Sequence, residues 1–258
     1  MVSLTINGRI VKAKDGEMLL AVLRREKIDV PAMCHHAAVE PFGACRLCVV
    51  EITRAEWKGW CDYVTSCLYP VSPGLIVNTH SDKVNELRRT ILDLFLARHP
   101  DCPEIAELAG EYGVFKTTYE TVVGGNNCIL CGLCTRICDR MGFTAISTVG
   151  RGHGKEVAPP LRQAPPDCVG CLACAENCPT KFIEYKLRKK RVTIWEREFE
   201  LLTCTKCGKT TITKDFAEYL SRHRAIDAGY FEICDECRRK NLAVSMGEIV
   251  NWERELLT

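Results

Sequence analysis

The 258-residue sequence lacks a long apolar run, since no window approaches the 18 consecutive apolar residues of a membrane-spanning helix. It also lacks a G-x-G-x-x-G turn and a Walker loop, so no nicotinamide, flavin or nucleotide site of its own is predicted. The first residues carry no apolar signal segment, and a formal net charge of +2 predicts no nucleic-acid surface. These absences favour a cytoplasmic protein with no membrane span and no nucleic-acid partner.

Cysteine, in contrast, is abundant: the chain contains 18. Secreted disulfide scaffolds are normally short and follow a signal peptide, which this sequence does not predict. We therefore expect the cysteines to be metal ligands in a reducing compartment. At this length the chain has room for two or three small domains.

Two cysteine runs in the middle of the chain share the spacing C-x2-C-x2-C-x3-C. In bacterial two-cluster ferredoxins, three cysteines of each such run hold one [4Fe-4S] cluster and the fourth crosses to the other cluster. Zinc is disfavoured here, because structural zinc sites use pairs of cysteines rather than runs of four. The pattern predicts one cluster on Cys128, Cys131, Cys134 and Cys178, and a second on Cys168, Cys171, Cys174 and Cys138.

The N-terminal segment predicts a β-hairpin, because alternating residues 2–6 and 9–13 flank Asn7-Gly8. A short helix is expected next, over the apolar residues 18–23, with Asp15 as its candidate N-cap. This order of elements places the first cysteines of the chain in the loop that follows the helix.

That loop carries Cys34, Cys45 and Cys48 with the spacing C-x10-C-x2-C. Plant-type [2Fe-2S] ferredoxins use C-x4-C-x2-C and a distant fourth cysteine, so the loop can hold a [2Fe-2S] cluster behind a longer lip. The fourth ligand has two candidates. Cys61 lies beside a Trp-rich hairpin tip, and Cys67 lies in the more rigid position, where a short predicted strand ends at a turn.

The segments CRLCVVEI and VTSCLYPVSPGLIV, the amphipathic helix after them and HPDCP resemble the iron-sulfur subunits of NAD-linked oxidoreductases. These include the G chain of NADH:quinone oxidoreductase and the small diaphorase subunit of NAD-reducing hydrogenases. The family also includes the corresponding parts of NAD-dependent formate dehydrogenases and of electron-bifurcating hydrogenases. The resemblance covers roughly residues 1 to 185. It implies a β-grasp fold for the first domain, and it favours Cys67 over Cys61 as the fourth [2Fe-2S] ligand.

Residues 81–127 predict a helical connector that Ser81 caps and His99-Pro100 ends. Helical spacing predicts one packed face, with Arg88, Arg89 and Asp93 outside it. That face consists of Val84, Leu87, Ile91, Leu94 and Phe95.

The connector also carries an incomplete ligand set. In the family that the chain resembles, a histidine and three cysteines after this helix hold a further [4Fe-4S] cluster. This chain has His99 and Cys102, but Ile105 occupies the next cysteine position and no cysteine follows before Cys128. We predict that this cluster is absent and that His99 and Cys102 serve packing.

Beyond the second cysteine run, alternating residues around Arg188–Arg191 predict a hairpin with a basic tip. Two C-x2-C pairs separated by 26 residues then follow, a spacing typical of tetrahedral zinc, with an iron-sulfur cluster as the alternative. Residues 216–223 predict a helix between the pairs, and apolar residues from Leu242 to Leu257 predict a second helix after them. The predicted zinc ligands are Cys204, Cys207, Cys234 and Cys237.

The sequence therefore predicts an α+β chain of four segments. They are a β-grasp [2Fe-2S] ferredoxin domain (1–80), a helical connector with a degenerate site (81–127), a bacterial two-cluster [4Fe-4S] ferredoxin domain (128–200) and a small zinc-binding module with a C-terminal helix (201–258). The predicted cofactors are one [2Fe-2S] cluster, two [4Fe-4S] clusters and one zinc ion.

The resemblance implies an electron-relay subunit of a hetero-oligomer. Its partners would be a flavin- and NAD(H)-binding subunit and a catalytic oxidoreductase subunit, such as a hydrogenase or formate dehydrogenase. No substrate chemistry of its own is expected. The alternative is a non-catalytic redox sensor or interaction protein whose zinc module grips a partner.

Overall fold

A computed structural model describes residues 1–122 and 124–255, and the chain divides into two compact units. Unit 1 comprises Met1–Gly142, Ile146–Ala158 and Cys174–Ile183. Unit 2 comprises Phe143–Ala145, Pro159–Ala173 and the chain from Glu184 onward. The predicted mixture of helices and strands is confirmed.

A five-stranded sheet forms the centre of unit 1, in the order β2-β1-β5-β3-β4. Strands β1 and β2 are antiparallel around Asn7 and Gly8, both of which have positive φ as a tight hairpin turn requires, so the predicted hairpin is confirmed. Strand β1 runs parallel to β5, and β3 pairs antiparallel with both β4 and β5. The strands are β1 (Val2–Ile6), β2 (Arg9–Ala13), β3 (Val49–Thr53), β4 (Asp62–Thr65) and β5 (Ile76–Asn78).

Helix α1 (Leu19–Arg25) packs its apolar side chains into the core of this sheet. The prediction that Asp15 caps it is wrong, because the N-cap is Met18 and makes no side-chain capping bond. Gly16, with φ of 75°, first turns the chain, and its amide donates to the Val71 carbonyl at 3.0 Å. The helix begins only after this turn.

Helix α2 (Asp82–Arg98) is the long helix of unit 1, and the predicted cap is confirmed: Ser81 Oγ accepts from the Val84 amide at 3.4 Å. Its predicted packing face is partly wrong, since Leu94 is 49% exposed. Arg88, expected outside, is fully buried. The face that is buried consists of Val84, Arg88, Leu92, Leu96 and Ala97.

The rest of unit 1 consists of short elements between and after the cysteine segments. Helix α3 (Pro103–Glu111) packs against α2, and helix α4 (Leu133–Met141) begins inside the first cysteine run. Strands β6 (Ser147–Val149) and β7 (Glu156–Ala158) form an antiparallel pair. The four-residue helix α5 (Ala173–Glu176) begins inside the second run.

Unit 2 contains a four-stranded antiparallel sheet in the order β11-β10-β9-β8. The predicted hairpin with its basic tip is confirmed as β8 and β9, and the predicted helix between the cysteine pairs is confirmed as α6. Leu257 lies outside the described residues. The elements are β8 (Tyr185–Arg188), β9 (Arg191–Ile194), β10 (Arg197–Thr203), β11 (Thr210–Thr213), α6 (Lys214–Arg224) and α7 (Asp235–Glu255).

Aliphatic and aromatic side chains form the small core of unit 2. The Phe143 ring meets the Tyr219 and Phe216 rings of α6 edge to face, at centroid distances of 4.5 and 6.1 Å. Phe199 of β10 is 2% exposed. Within the part of the chain that the structure describes, no helix is long and apolar enough to cross a membrane.

Candidate metal centres

The structure buries the four predicted [2Fe-2S] ligands in unit 1. Cys34 lies in the loop after α1, Cys45 and Cys48 directly precede β3, and Cys67 follows β4. Each has no more than 3% of its surface exposed. Ser66 is also fully buried, and its Oγ donates to the Cys48 carbonyl at 2.8 Å, which fixes the turn that carries Cys67 beside the turn that carries Cys48.

The four thiols are arranged as two pairs. A hydrogen bond from the Cys45 thiol is the main cause that lowers the pKa of Cys34 to about 5, and the Cys67 thiol lowers the pKa of Cys48 to about 6 in the same way. The same bonds, with burial, raise the pKa values of Cys45 and Cys67 far above the usual range. Two pairs of thiols are what two bridged irons, each with two protein ligands, require.

Cys61, the other candidate for the fourth position, lies apart from this group. Its Sγ contacts the Tyr63 hydroxyl at 3.7 Å, and its side chain is partly exposed. The geometry therefore places Cys67, and not Cys61, with Cys34, Cys45 and Cys48.

A buried guanidinium lies behind the [2Fe-2S] ligands. Arg88 Nε donates to the Leu47 carbonyl at 3.2 Å, and Nη2 donates to the Val49 carbonyl at 2.8 Å, one on each side of Cys48. Burial lowers the pKa of Arg88, but an arginine remains protonated in proteins, so a positive charge lies next to this site. Arg88 Nη1 is buried with no hydrogen-bond partner among the described residues. Sequence reasoning missed this role because it placed Arg88 in solvent.

The first predicted [4Fe-4S] ligand set lines a single small cavity in unit 1. Burial raises the pKa of Cys131 to about 11 and also raises the pKa values of Cys128 and Cys134. Such buried thiols ionise only when a nearby positive charge compensates the thiolates, and a metal cluster supplies that charge. The ligand residues that line the cavity are Cys128, Cys131, Cys134 and Cys178.

The two cysteine runs share an unusual backbone pattern. In the first run, Leu130 and Gly132 have φ of 54° and 66°, and in the second, Gly170 and Leu172 have φ of 66° and 61°. Each pair flanks the second cysteine of its run. Left-handed leucines are unfavourable and tend to occur at functional sites. Because positive φ recurs directly before and after the second cysteine in both runs, the two turns have one design.

The other predicted [4Fe-4S] set is divided between the units, with Cys138 and Cys174 in unit 1 and Cys168 and Cys171 in unit 2. The Gly170 amide points toward Cys168 Sγ at 3.5 Å, the kind of N–H···S contact that tunes cluster potentials. The assignment of this quartet depends on the spacing of the cysteines and on the shared backbone pattern.

His99 and Cys102 are both buried. His99 Nδ1 donates to the Asn126 carbonyl at 2.8 Å, and Asn126 Oδ1 accepts from the Cys128 amide at 3.0 Å. His99 therefore supports the turn that enters the first cysteine run. Burial lowers its pKa, which keeps the ring neutral. Ile105 is fully buried, and the absence of a histidine-ligated cluster stays a prediction.

The C-terminal cysteines converge in unit 2. Cys204 and Cys207 lie between β10 and β11, while Cys234 and Cys237 lie at the start of α7. Their four sulfurs all lie within 4.8 Å of one another. A tetrahedral ion with Zn–S bonds of 2.3 Å needs sulfurs about 3.8 Å apart, and Cys207 and Cys234 are already 3.7 Å apart. These four sulfurs are therefore spaced as the ligands of one tetrahedral ion.

Backbone amides stabilise thiolate in this C-terminal group. The Cys234 amide donates to Cys204 Sγ at 3.3 Å, and the Cys237 amide donates to Cys234 Sγ at 3.5 Å. The bond from the Cys234 amide is the largest cause that lowers the pKa of Cys204 to about 6. Hydrogen bonds with the thiols of Cys207 and Cys234 raise the pKa of Cys237 to about 12. The group is therefore prepared to lose protons to a metal ion.

Residues 1–82 match the family model of the 2Fe-2S iron-sulfur cluster binding domain. They form a 2Fe-2S ferredoxin-type domain. This agrees with the buried cysteine pairs described above.

The chain is also similar to parts of several larger proteins. It is 30% identical over 252 residues to the NADPH-Fe(3+) oxidoreductase subunit alpha of Geobacter sulfurreducens, covering 88% of this chain and 29% of that protein. It is 28% identical to the NADP-reducing hydrogenase subunit HndD of Solidesulfovibrio fructosivorans, covering 70% of this chain and 35% of that protein. The chain thus spans about a third of the length of these curated relatives.

A solved structure supports the same relationship. A chain in the crystal structure of an NAD+-reducing [NiFe]-hydrogenase in the H2-reduced state superposes with a TM-score of 0.54 at 25% identity. The superposition covers 61% of this chain and 74% of that chain. The resemblance to subunits of NAD-linked oxidoreductases is therefore confirmed.

Proposed function

We propose that this chain is an electron-relay subunit that links an NAD(H)- and flavin-binding subunit to a catalytic subunit of the hydrogenase or formate dehydrogenase type. The observation that supports this most strongly is that one compact unit contains two sets of four cysteines: the buried pairs of the 2Fe-2S domain, and the cavity-lining set of Cys128, Cys131, Cys134 and Cys178. The relatives named above, which are subunits of an NADPH-linked oxidoreductase and of an NADP-reducing hydrogenase, point the same way.

The protein's own residues would set the environment of the electron carriers. Iron-sulfur clusters supply reversible one-electron redox chemistry without bond changes in a substrate. Buried cysteines would bind them and exclude water, and the positive charge of Arg88 would favour the more reduced state of the [2Fe-2S] site. Amides in the left-handed turns would donate to sulfur and adjust the potentials of the other sites.

We further propose which segment of the chain holds each cofactor. Residues 1–80 would hold one [2Fe-2S] cluster on Cys34, Cys45, Cys48 and Cys67. Residues 128–200 would form a two-cluster ferredoxin domain, with 81–127 as the connector, and residues 201–258 would form a zinc module that docks or braces a partner subunit in a hetero-oligomer. A chain whose many cysteines are spaced as metal ligands favours a cytoplasmic location.

Anaerobic isolation of the tagged chain with its native partners tests the relay. We expect a flavoprotein to co-purify and NADH to reduce the clusters within the turnover time of the complex, as followed by low-temperature EPR. A Cys131→Ser variant should interrupt electron flow to the catalytic subunit, whereas Cys61→Ser should not. If NADH leaves the clusters oxidised while dithionite reduces them, and partner affinity follows redox state instead, the chain is a redox sensor.

A further inference from the structure

One side chain connects the two sets of predicted cysteine ligands in unit 1. Arg136 lies on α4, between Cys134 and Cys138, and its guanidinium reaches the lip of the [2Fe-2S] site, defined as residues 34–45. Nη2 donates to the Cys34 carbonyl at 2.8 Å, and Nη1 donates to the Glu40 carbonyl at 2.5 Å. Two of its three nitrogens are therefore bonded to the lip.

The same guanidinium also bonds the turn of the first [4Fe-4S] site. Nε donates to the Gly132 carbonyl at 3.1 Å, and Nη2, already bonded to Cys34, donates to the Cys131 carbonyl at 3.4 Å. A single nitrogen thus joins the backbones of two predicted ligand residues, one from each site. Charge-assisted bonds of this kind are stronger than neutral ones, and the planar fork of arginine fixes their directions.

An aromatic contact reinforces the connection independently. The Phe42 ring, in the lip, lies under the Arg136 guanidinium at 5.1 Å. A Cβ added to Gly132 would stand only 3.4 Å from that ring, so the lip and the cysteine turn are in close contact. Gly132 has a left-handed φ of 66°, a conformation that glycine adopts without steric cost.

We propose that Arg136 is a positioning residue that fixes the separation of the [2Fe-2S] site from the site of Cys128, Cys131, Cys134 and Cys178, and so sets the rate of electron exchange between them. This inference rests on the proposed function. One electron leaves the reduced cluster and enters the oxidised one, and no proton moves and no bond breaks. Because tunnelling slows steeply with distance, a loosened lip would slow the exchange while each cluster stays bound.

Variants of the anaerobically purified full chain test this role. Arg136→Met removes the fork and the charge, Arg136→Lys keeps the charge alone, and Arg140→Met is the matched control, an exposed arginine one turn further along α4. Photoreduction with a deazaflavin needs no partner subunit. Freeze-quench EPR follows electron exchange between the two sites, and the spin-spin coupling of the fully reduced chain reports their separation.

We expect Arg136→Met to slow the exchange at least tenfold and weaken the spin-spin coupling at unchanged iron content, with Arg136→Lys intermediate and Arg140→Met like wild type. An unchanged rate and coupling in both Arg136 variants would overturn the proposal. Iron loss in both would also overturn it, since Arg136 would then be a folding residue. Slow exchange in the wild type would contradict the proposed relay instead, which keeps the two failures distinguishable.

Discussion

The 2Fe-2S domain and the C-terminal module each bring four cysteines together, but in opposite ways. In the first, the ligands come from three chain segments, form two pairs and are almost fully buried, and Cys48 and Cys67 belong to the core of the sheet. In the second, two C-x2-C turns bring four sulfurs within 4.8 Å, and Cys207 remains exposed. Burial and pairing suit a redox cluster shielded from water, whereas convergence of four sulfurs on one point suits a single structural ion.

Replacing a ligand of the buried set should produce the largest effect. We expect Cys67→Ser to abolish the [2Fe-2S] EPR signal and remove about two irons per chain, because one iron loses a protein ligand in a dry site. Cys61→Ser is the matched control and should keep the full signal. The opposite result, with loss in Cys61→Ser alone, would exchange the two assignments.

Removing the C-terminal ion should break the module and spare the clusters. Structural zinc sites supply an apparent binding free energy of about 10–16 kcal/mol that is also folding free energy. We therefore expect a zinc chelator, or Cys204→Ser, to release zinc and expose residues 201–255 to protease while the iron content stays constant. Loss of iron from this module on the same treatment would show that it holds a cluster.

Arg88→Met tests the charge beside the buried cysteines. Two carbonyls next to Cys48 would lose charged donors in a buried site, at a cost of about 2–4 kcal/mol of unfolding free energy. The reduction potential of the [2Fe-2S] cluster should fall, because a positive charge stabilises its reduced form. Arg89→Met, at an exposed neighbouring position, should change stability by less than about 1 kcal/mol. Equal shifts in both variants would count against a specific role for Arg88.

The smallest expected effect is the difference in stability between alanine variants of two glycines that lie in cysteine turns. A Cβ at Gly170 would stand 2.6 Å from the Phe199 ring, whereas nothing lies within 4 Å of one at Gly208. Both have positive φ, so alanine costs about 1–2 kcal/mol at each from the backbone alone, and overpacking adds about 1–3 kcal/mol at Gly170. Thermal unfolding followed by circular dichroism should rank Gly170→Ala below Gly208→Ala; the reverse order would contradict the packing described.

Local patterns in the sequence were sufficient for elements whose signals are also local. The Asn7-Gly8 hairpin, the Ser81 cap and the β8–β9 hairpin are all confirmed, because turn and cap chemistry depends on a few adjacent residues. The cysteine spacings likewise predicted the four C-terminal thiols that converge and three thiols of the 2Fe-2S domain, whereas Cys67 was preferred to Cys61 on its position and on the family resemblance.

Long-range contacts were not predictable in this way. Arg88 was expected in solvent because arginine is rarely buried, yet two carbonyls 39 and 41 residues away satisfy it. Arg136 carries no sequence signal except its place in a cysteine run, and its contact with Cys34 spans 102 residues. Asp15 does not cap α1 because residues 14–17 form a turn that is hydrogen-bonded to Val71, and the helix begins only after this turn.

The most direct test of the account is the metal content of the anaerobically purified full-length chain. Two irons from the [2Fe-2S] site and four from each [4Fe-4S] site predict about ten irons per chain, with one zinc ion. About fourteen irons without zinc would contradict the C-terminal assignment. About fourteen with zinc retained would contradict the predicted loss of the cluster at His99, and a chain that binds zinc but no iron would contradict the electron relay itself.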